Sequence, residues 1–176
     1  YKRYVLIVTL LLLILNQQNF LQKISGVIGG ASINKNMAWK LKKLKKIQAK
    51  NSILIEGLPG MGNVGKIAID FMIENLNAEK VLEITSHHFP HCVFVNEDNL
   101  VELPKIEIYQ KNLKDKTLFL LAGDIQPLDE ISCYEFCEML LDFLIEHKGK
   151  EIITLGGIGQ QKIPENPKVF CTGNTK

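Results

Sequence analysis

A chain of 176 residues is long enough for one packed core, and its 46% hydrophobic content supplies the side chains to fill it. Four cysteines (Cys92, Cys133, Cys137, Cys171) with no regular framework argue against a disulfide-built fold and suit a reducing compartment, which points to the cytoplasm. The formal net charge of +2 conceals an asymmetry: residues 1–36 carry four basic side chains and no acid, six lysines fall between Lys40 and Lys50, and residues 51–176 hold 11 basic against 19 acidic side chains, a net of −8.

Tyr4 to Leu15 is apolar except for Thr9 and follows Lys2 and Arg3, the pattern of a signal-peptide n-region and h-region. It is too short to span a bilayer, which takes about 20 apolar residues. Asn16 to Asn19 interrupt it, and no small-residue cleavage site follows. The reading is that residues 1–36 are an upstream extension or fragment end outside the fold, that Met37 is a natural start, and that one domain without a membrane segment occupies residues 37–176.

Between Met37 and Lys50, Trp39, Leu41, Leu44 and Ile47 are set among lysines, a spacing that suits a short amphipathic helix better than a strand. The lysines lack the interleaved aromatics of a nucleic-acid surface, so they read as a solvated edge.

An apolar run, Ile53-Leu54-Ile55, then breaks into Gly57-Leu58-Pro59-Gly60-Met61-Gly62-Asn63-Val64-Gly65-Lys66 and resumes with helical periodicity to Leu76. This is a strand, a glycine loop and a helix. Gly60, Gly62 and Gly65 permit positive φ and outward N–H groups at a helix N-terminus, where an anion is favoured. Two phosphate patterns compete for it. Gly60-x-Gly62-x-x-Gly65 fits dinucleotide binding, with Glu79 or Glu83 as the ribose acid; Gly60 to Lys66 fits most of a P-loop, but Ile67 stands where a magnesium-binding hydroxyl belongs. The bland alternative is a tight turn that lets helix and sheet pack closely. Lys66 has an equally plain explanation in an i,i+4 ion pair with Asp70. The helix is apolar around most of its circumference, which predicts burial against a sheet.

Lys80 to Thr85 reads as a strand that completes a β-α-β unit, implying parallel pairing with the first. Ser86-His87-His88-Phe89-Pro90-His91-Cys92 is the most metal-like cluster, yet adjacent imidazoles before a rigid proline lack zinc-ligand spacing, and exposed loop histidines explain it as well. Cys92 to Asn96 and Lys105 to Gln110 alternate with period two about an Asn96 to Asn99 turn, and Leu100 to Leu103 reads as a short edge strand. Leu118 to Ala122 is a buried central strand ending in Gly123-Asp124-Ile125-Gln126-Pro127, a strand-end loop where open α/β sheets place ligands. Asp124 is therefore a candidate, against the commoner role of capping a turn. Asp129 caps a long helix to about His147, closed by Gly149. Its expected buried face is Ile131, Tyr134, Cys137, Leu140, Leu141 and Leu144, and Glu135, Glu138, Asp142 and Glu146 form an acidic face. Glu151 to Leu155 reads as a further buried strand leading to Gly156 and Gly157, and Lys168 to Cys171 as another.

Taken together, Leu54 to Lys66, Phe89-Pro90, Gly123-Asp124-Ile125-Gln126-Pro127 and Leu155-Gly156-Gly157 resemble the archaeal branch of the proteasome assembly chaperone family, the branch containing the second chaperone, over about residues 37–176. The resemblance implies an α/β protein, a three-layer α/β/α sandwich with a mixed, mostly parallel sheet like that of purine nucleoside phosphorylases. It implies a cytoplasmic homo-oligomer that binds proteasome α-subunits and promotes assembly without catalysis or cofactor. An ATP-grasp-like ligase or nucleotide sensor is the alternative, with Gly60, Gly62, Asn63, Gly65, Lys66, Asp124, Gly156 and Gly157 as the ligand-binding residues. Family members engage the proteasome with a C-terminal tail ending in a hydrophobic residue, a tyrosine and one more residue; without such a tail the sequence reads as C-terminally truncated.

Overall fold

The computed structural model of the chain describes residues 38–160 and 165–173. The readings for residues 1–36 and for a start at Met37 lie outside those residues. In chain order the elements are β1 (Trp39–Lys43), β2 (Ser52–Glu56), α1 (Val64–Leu76), β3 (Glu79–Ser86), β4 (Phe94–Val95), β5 (Val101–Glu102), β6 (Ile106–Asn112), β7 (Thr117–Gly123), α2 (Glu130–Glu146) and β8 (Gly149–Thr154), with a 3-10 turn at Met61–Asn63 before α1.

Apolar side chains on alternate residues commit each central strand to two faces, and one helix covers each. Under α2 lie Leu54, Leu82, Ile84, Ile106, Ile108, Phe119 and Leu121, met by Phe136, Cys137, Leu140, Phe143 and Leu144. On the opposite face Ile69 of α1 packs with Leu120 and Ala122, flanked by Ile55, Met72, Ile73 and Tyr109. Phe119 stacks edge-on with Phe143 at 5.0 Å between ring centroids, which fixes the tilt of α2 on the sheet.

The six-stranded sheet has the order β1-β3-β6-β7-β2-β8 among the described residues. It is mixed, as the α/β reading requires. Three neighbouring pairs are antiparallel (β1 with β3, β3 with β6, β6 with β7), and β2 is parallel to both β7 and β8. The description "mostly parallel" therefore holds for strand direction, since β2, β3, β7 and β8 point one way, and does not hold for adjacent pairs. β2 and β3 run in the same direction, as the β-α-β pattern suggests, yet they are not neighbours: β7 and β6 insert between them. A helix of 13 residues is long enough to carry the chain past two strand positions, and β2 instead takes the two apolar strands β7 and β8 as neighbours.

The lysine-rich stretch forms β1, an edge strand paired with β3, and not a helix. Every second residue of β1 faces α2, and Trp39 supplies the anchor: its ring lies 5.3 Å from Phe136 and 5.6 Å from Phe89. β4 and β5 form a separate hairpin about the Asn96–Asn99 turn. β8 is an edge strand with much of its surface exposed, so the expected burial of residues 151–155 is not observed. Residues 168–171 form no strand and are exposed; a strand exists only by pairing, and no neighbour among the described residues takes them up.

The buried side of α2 is Ser132, Phe136, Cys137, Leu140, Phe143 and Leu144, rotated from the expected stripe. Ile131 and Tyr134 face outward, because the Asp129 cap and the Trp39 contact fix the helix azimuth. Asp129 accepts from the Ser132 N–H at 2.9 Å. At the other end Lys148, not Gly149, takes the left-handed conformation (φ 58°), and Gly149 is held against Leu144, where a Cβ would come within 2.8 Å of that side chain. No described helix is long and apolar enough to cross a membrane.

Candidate functional site

Three parallel strands discharge their carboxyl ends at one edge of the sheet, so the loops after β2, β7 and β8 lie side by side. Backbone hydrogen bonds tie them together: the Gly57 N–H donates to the Leu121 oxygen at 3.0 Å, and the Leu155 N–H donates to the Glu56 oxygen at 2.8 Å. Glu56 ends β2 only 2% exposed, and its Oε1 accepts the Leu58 N–H at 3.1 Å, which bends the chain away from the strand direction.

The glycines of this loop are not used alike. A Cβ on Gly57 would fall 2.3 Å from the Gly65 oxygen, and one on Gly65 would fall 2.3 Å from the Leu155 oxygen. Helix α1 thus begins in backbone contact with β2 and with the end of β8, an approach that only glycine permits. Gly157 repeats the arrangement, with a Cβ position 2.2 Å from the Met61 oxygen. Among the described residues Gly62 is the one glycine with positive φ (65°), followed by Asn63 at 52°. Gly60 is extended and open, and Gly65 is helical, so the expectation of three left-handed glycines reduces to one. The sequence places Gly57 at the start of the loop and Glu56 before it without giving either a role of its own; an acid and a glycine closing an apolar run are the signals that mark them.

Of the ligand-binding candidates, Gly60, Gly62 and Asn63 are exposed at the start of α1, and Gly157 packs beneath them against Met61. Asn63 precedes α1 with no side-chain capping bond. Lys66 is turned into the helix surface, its Nζ 2.9 and 2.6 Å from the two carboxylate oxygens of Asp70. Asp124 is exposed after β7, its N–H donating to the Lys105 oxygen at 3.1 Å, and Gly156 is exposed after β8.

Helix α1 is less buried than its composition predicts. Only Gly65 and Ile69 are buried, while Val64, Ile67 and Phe71 are 51, 64 and 65% exposed and continue from Met61 at 45%. These residues recur at intervals of three and four and form an apolar ridge beginning in the glycine loop. With glycines rather than side chains at the contact with β2 and β8, the helix lies close to the sheet, and the stripe of Ile69 with the partly buried Met72, Ile73 and Leu76 fills the interface. The other apolar rows are left outside.

The histidine cluster is dispersed. His88 sits 6.1 Å from the Trp39 ring and its Nε2 is 3.7 Å from Glu135 Oε2, an oxygen that also accepts from Trp39 Nε1 at 3.0 Å. His87, His91 and Cys92 are exposed. Among the described residues no three or more His, Cys, Asp or Glu side chains gather as metal ligands. Glu135 accordingly leaves the expected acidic face and is half-buried against β1. Burial pushes the Cys137 thiol up to about 12 and raises that of Cys133. Cys137 is a small core side chain, whereas Cys133 is half-buried with its Sγ 3.4 Å from the Pro127 oxygen, so the expected burial of both holds only for Cys137.

The PAC2 family profile matches residues 54–176, which is most of the described fold and the whole of the glycine-loop edge. The chain belongs to the PAC2 family. This is the proteasome assembly chaperone family that the loop segments resemble. The chain is 34% identical over 136 residues to an uncharacterized protein of Methanocaldococcus jannaschii, covering 77% of this chain and 52% of that protein. It is similar to the crystal structure of Pyrococcus furiosus PbaB, described as an archaeal proteasome activator, with a TM-score of 0.67 and 35% identity over 72% of this chain and 54% of PbaB. A weaker likeness joins it to P. furiosus PbaA, an archaeal homolog of proteasome-assembly chaperone (TM-score 0.58, 23% identity, 73% of this chain and 50% of PbaA), and supports the fold alone. The chain therefore spans about half the length of these relatives.

Proposed function

We propose that this PAC2-family chain acts in the cytoplasm as a non-catalytic assembly factor that binds proteasome α-subunits, with the ridge Met61, Val64, Ile67 and Phe71 on α1 as the contact. The observation that carries this reading is the use of the glycine loop. Gly57, Gly65 and Gly157 are consumed in backbone packing, and what that packing presents to solvent is a row of apolar side chains suited to a protein surface. The similarity to PbaB supports the choice of partner.

The test is a pull-down of proteasome α-subunits by the full chain, compared with Ile67→Asp and Phe71→Asp. Both side chains are exposed, so the variants keep the fold, and retention falls at least tenfold. Equal retention by both variants overturns the ridge, and absence of binding by the parent chain overturns the function.

A second reading places a phosphate or nucleotide at Gly60, Gly62, Asn63, Gly65 and Lys66, with Asp124, Gly156 and Gly157 nearby. In its favour are the open backbone of Gly60 and Gly62 and the uncapped N-terminus of α1. Against it stand the Lys66 to Asp70 pair and Ile67 in the magnesium-ligand position. A thermal shift with ATP that disappears in Lys66→Ala would move this reading ahead of the first.

A further inference from the structure

Helix α1 carries its charges in the order that its own dipole disfavours. Its first turn holds Lys66 and no acid, and its last turn holds Glu74 and no base. A helix on its own is favoured by the reverse, acids at the start and bases at the end. Lys66 is neutralised within the helix by Asp70 at 2.6 Å. The acid in the last turn of α2, Glu146, is met by Lys43 of β1 at 3.5 Å. Glu74 has no such counterpart: it is exposed and forms no ion pair among the described residues. The fold therefore leaves one negative charge at the end of α1 where the helix itself disfavours it, a departure from local preference of the kind that serves something outside the element.

The same helix carries the apolar ridge. Val64, Ile67 and Phe71 stand at i, i+3 and i+7, all exposed, and Glu74 follows Phe71 by three residues, so the charge continues the row. A convex row of apolar anchors at this spacing is the form in which a helix seats in an apolar groove. A flat surface reaches only the crest of such a row, whereas two walls of a groove cover its flanks as well. The Lys66 to Asp70 pair beside the row is internally neutral, so Glu74 alone gives the seated helix a charged end.

We infer that the partner protein receives α1 in an apolar groove with a lysine or arginine at the end where Phe71 and Glu74 seat. This rests on the proposed α-subunit contact and specifies it: the walls of the groove take Val64, Ile67 and Phe71, and its cation meets Glu74. The charge that the fold leaves unmatched is then matched on binding. Apolar contact along the row supplies area without direction, and the single ion pair fixes which way α1 lies in the groove.

Retention of proteasome α-subunits by the full chain at low and at high salt tests this. Glu74→Lys lowers retention about tenfold at low salt, and the loss shrinks at high salt, where a pair at the rim of a groove is screened. The same variant keeps or raises the midpoint of thermal unfolding, because a base in the last turn suits the helix dipole and stands four residues after Asp70; loss of the fold is thereby excluded as the cause. Glu138→Lys, on the exposed side of α2, leaves retention unchanged. A photoreactive phenylalanine analogue at position 71 links to two elements of the α-subunit that wall one groove, with a lysine or arginine beside them. Full retention by Glu74→Lys, a loss independent of salt, or crosslinks confined to a flat face or an extended tail overturns the groove and its cation and leaves the α-subunit contact standing. Absence of retention by the parent chain overturns both.

Discussion

The Cα of Gly65 faces the carbonyl oxygen of Leu155 so closely that a Cβ built on the glycine would lie 2.3 Å from it. Helix α1 and the end of β8 thereby touch through backbone, with no side chain between them. Gly65→Ala must push the helix off the strand. The intrinsic gain of alanine in a helix, about 1 kcal/mol, is outweighed by this clash, and the net loss is about 2 kcal/mol or more. Gly60→Ala is the internal control, since its nearest neighbour is 4.0 Å away, and it changes stability by less than about 0.5 kcal/mol. Urea unfolding followed by circular dichroism separates the two. Equal costs would mean that loop flexibility, and not the contact with Leu155, requires glycine.

Lys66 and Asp70 meet at 2.6 Å with side chains 28 and 48% exposed. The geometry is good, but solvent screens the pair and the lysine precedes the acid, the less favourable order on a helix. Lys66→Ala therefore lowers stability by no more than about 0.5 kcal/mol. A loss above 1.5 kcal/mol in the same unfolding experiment would show that the lysine supports the loop in some further way.

How much of this was legible in the sequence depended on whether a residue's role was set locally. Asp129 capping α2, the buried run Leu118 to Ala122, the Asn96 to Asn99 turn and the Lys66 to Asp70 pair are fixed by neighbours within a few positions, and each appears as read. The pairing of β2 with β7 and β8 is decided by strands more than 60 residues away, and a local β-α-β pattern does not encode it. The azimuth of α2 is likewise set by Trp39, some 96 residues distant from Glu135, so Ile131 and Tyr134 were assigned to the wrong side. At the glycine loop the spacing revealed that close approach was needed. It did not reveal that what Gly65 approaches is the backbone of Leu155 and Gly57.

Trp39 joins the edge strand to α2 through its Nε1 hydrogen bond to Glu135 at 3.0 Å and its stacking near Phe136. Trp39→Phe keeps most of the ring contact and removes the donor, so the cost is about 1 kcal/mol. Trp39→Ala removes the packing as well, costing about 3–5 kcal/mol as for large aromatic truncations. The ratio of the two, read from thermal or urea unfolding, measures how far β1 is held by packing. Equal costs would assign the anchoring to the hydrogen bond alone.

The carboxyl of Asp129 is held below its ordinary range by hydrogen bonds from the Ser132 side chain and then its N–H. A carboxylate with a lower pKa in the folded state contributes stability at pH values above its unfolded pKa. That contribution is lost as the pH falls through the folded value. The midpoint of thermal unfolding should decline on acidification below about pH 4, the ordinary carboxylate range. Asp129→Asn, which keeps a capping oxygen without the titration, should flatten that part of the profile. An identical acid limb in the variant would remove Asp129 from the linkage.

The four thiols provide a test of burial that needs no substitution. Cys92 and Cys171 are exposed, Cys133 is half-buried, and Cys137 is buried beside Phe136 and Leu140 in the α2 face, with its thiol raised to about 12 by desolvation and, to a smaller degree, by Cys133 and nearby acids. The reactive species is the thiolate, so a raised pKa and a closed surface both slow alkylation. Iodoacetamide at pH 8 should modify Cys92 and Cys171 first, Cys133 slowly, and Cys137 only at the rate of unfolding. Mass spectrometry of peptides sampled over time, with and without urea, reads the order directly. Early modification of Cys137 in the native chain would mean that α2 opens from the sheet far more readily than the Phe119 to Phe143 contact implies.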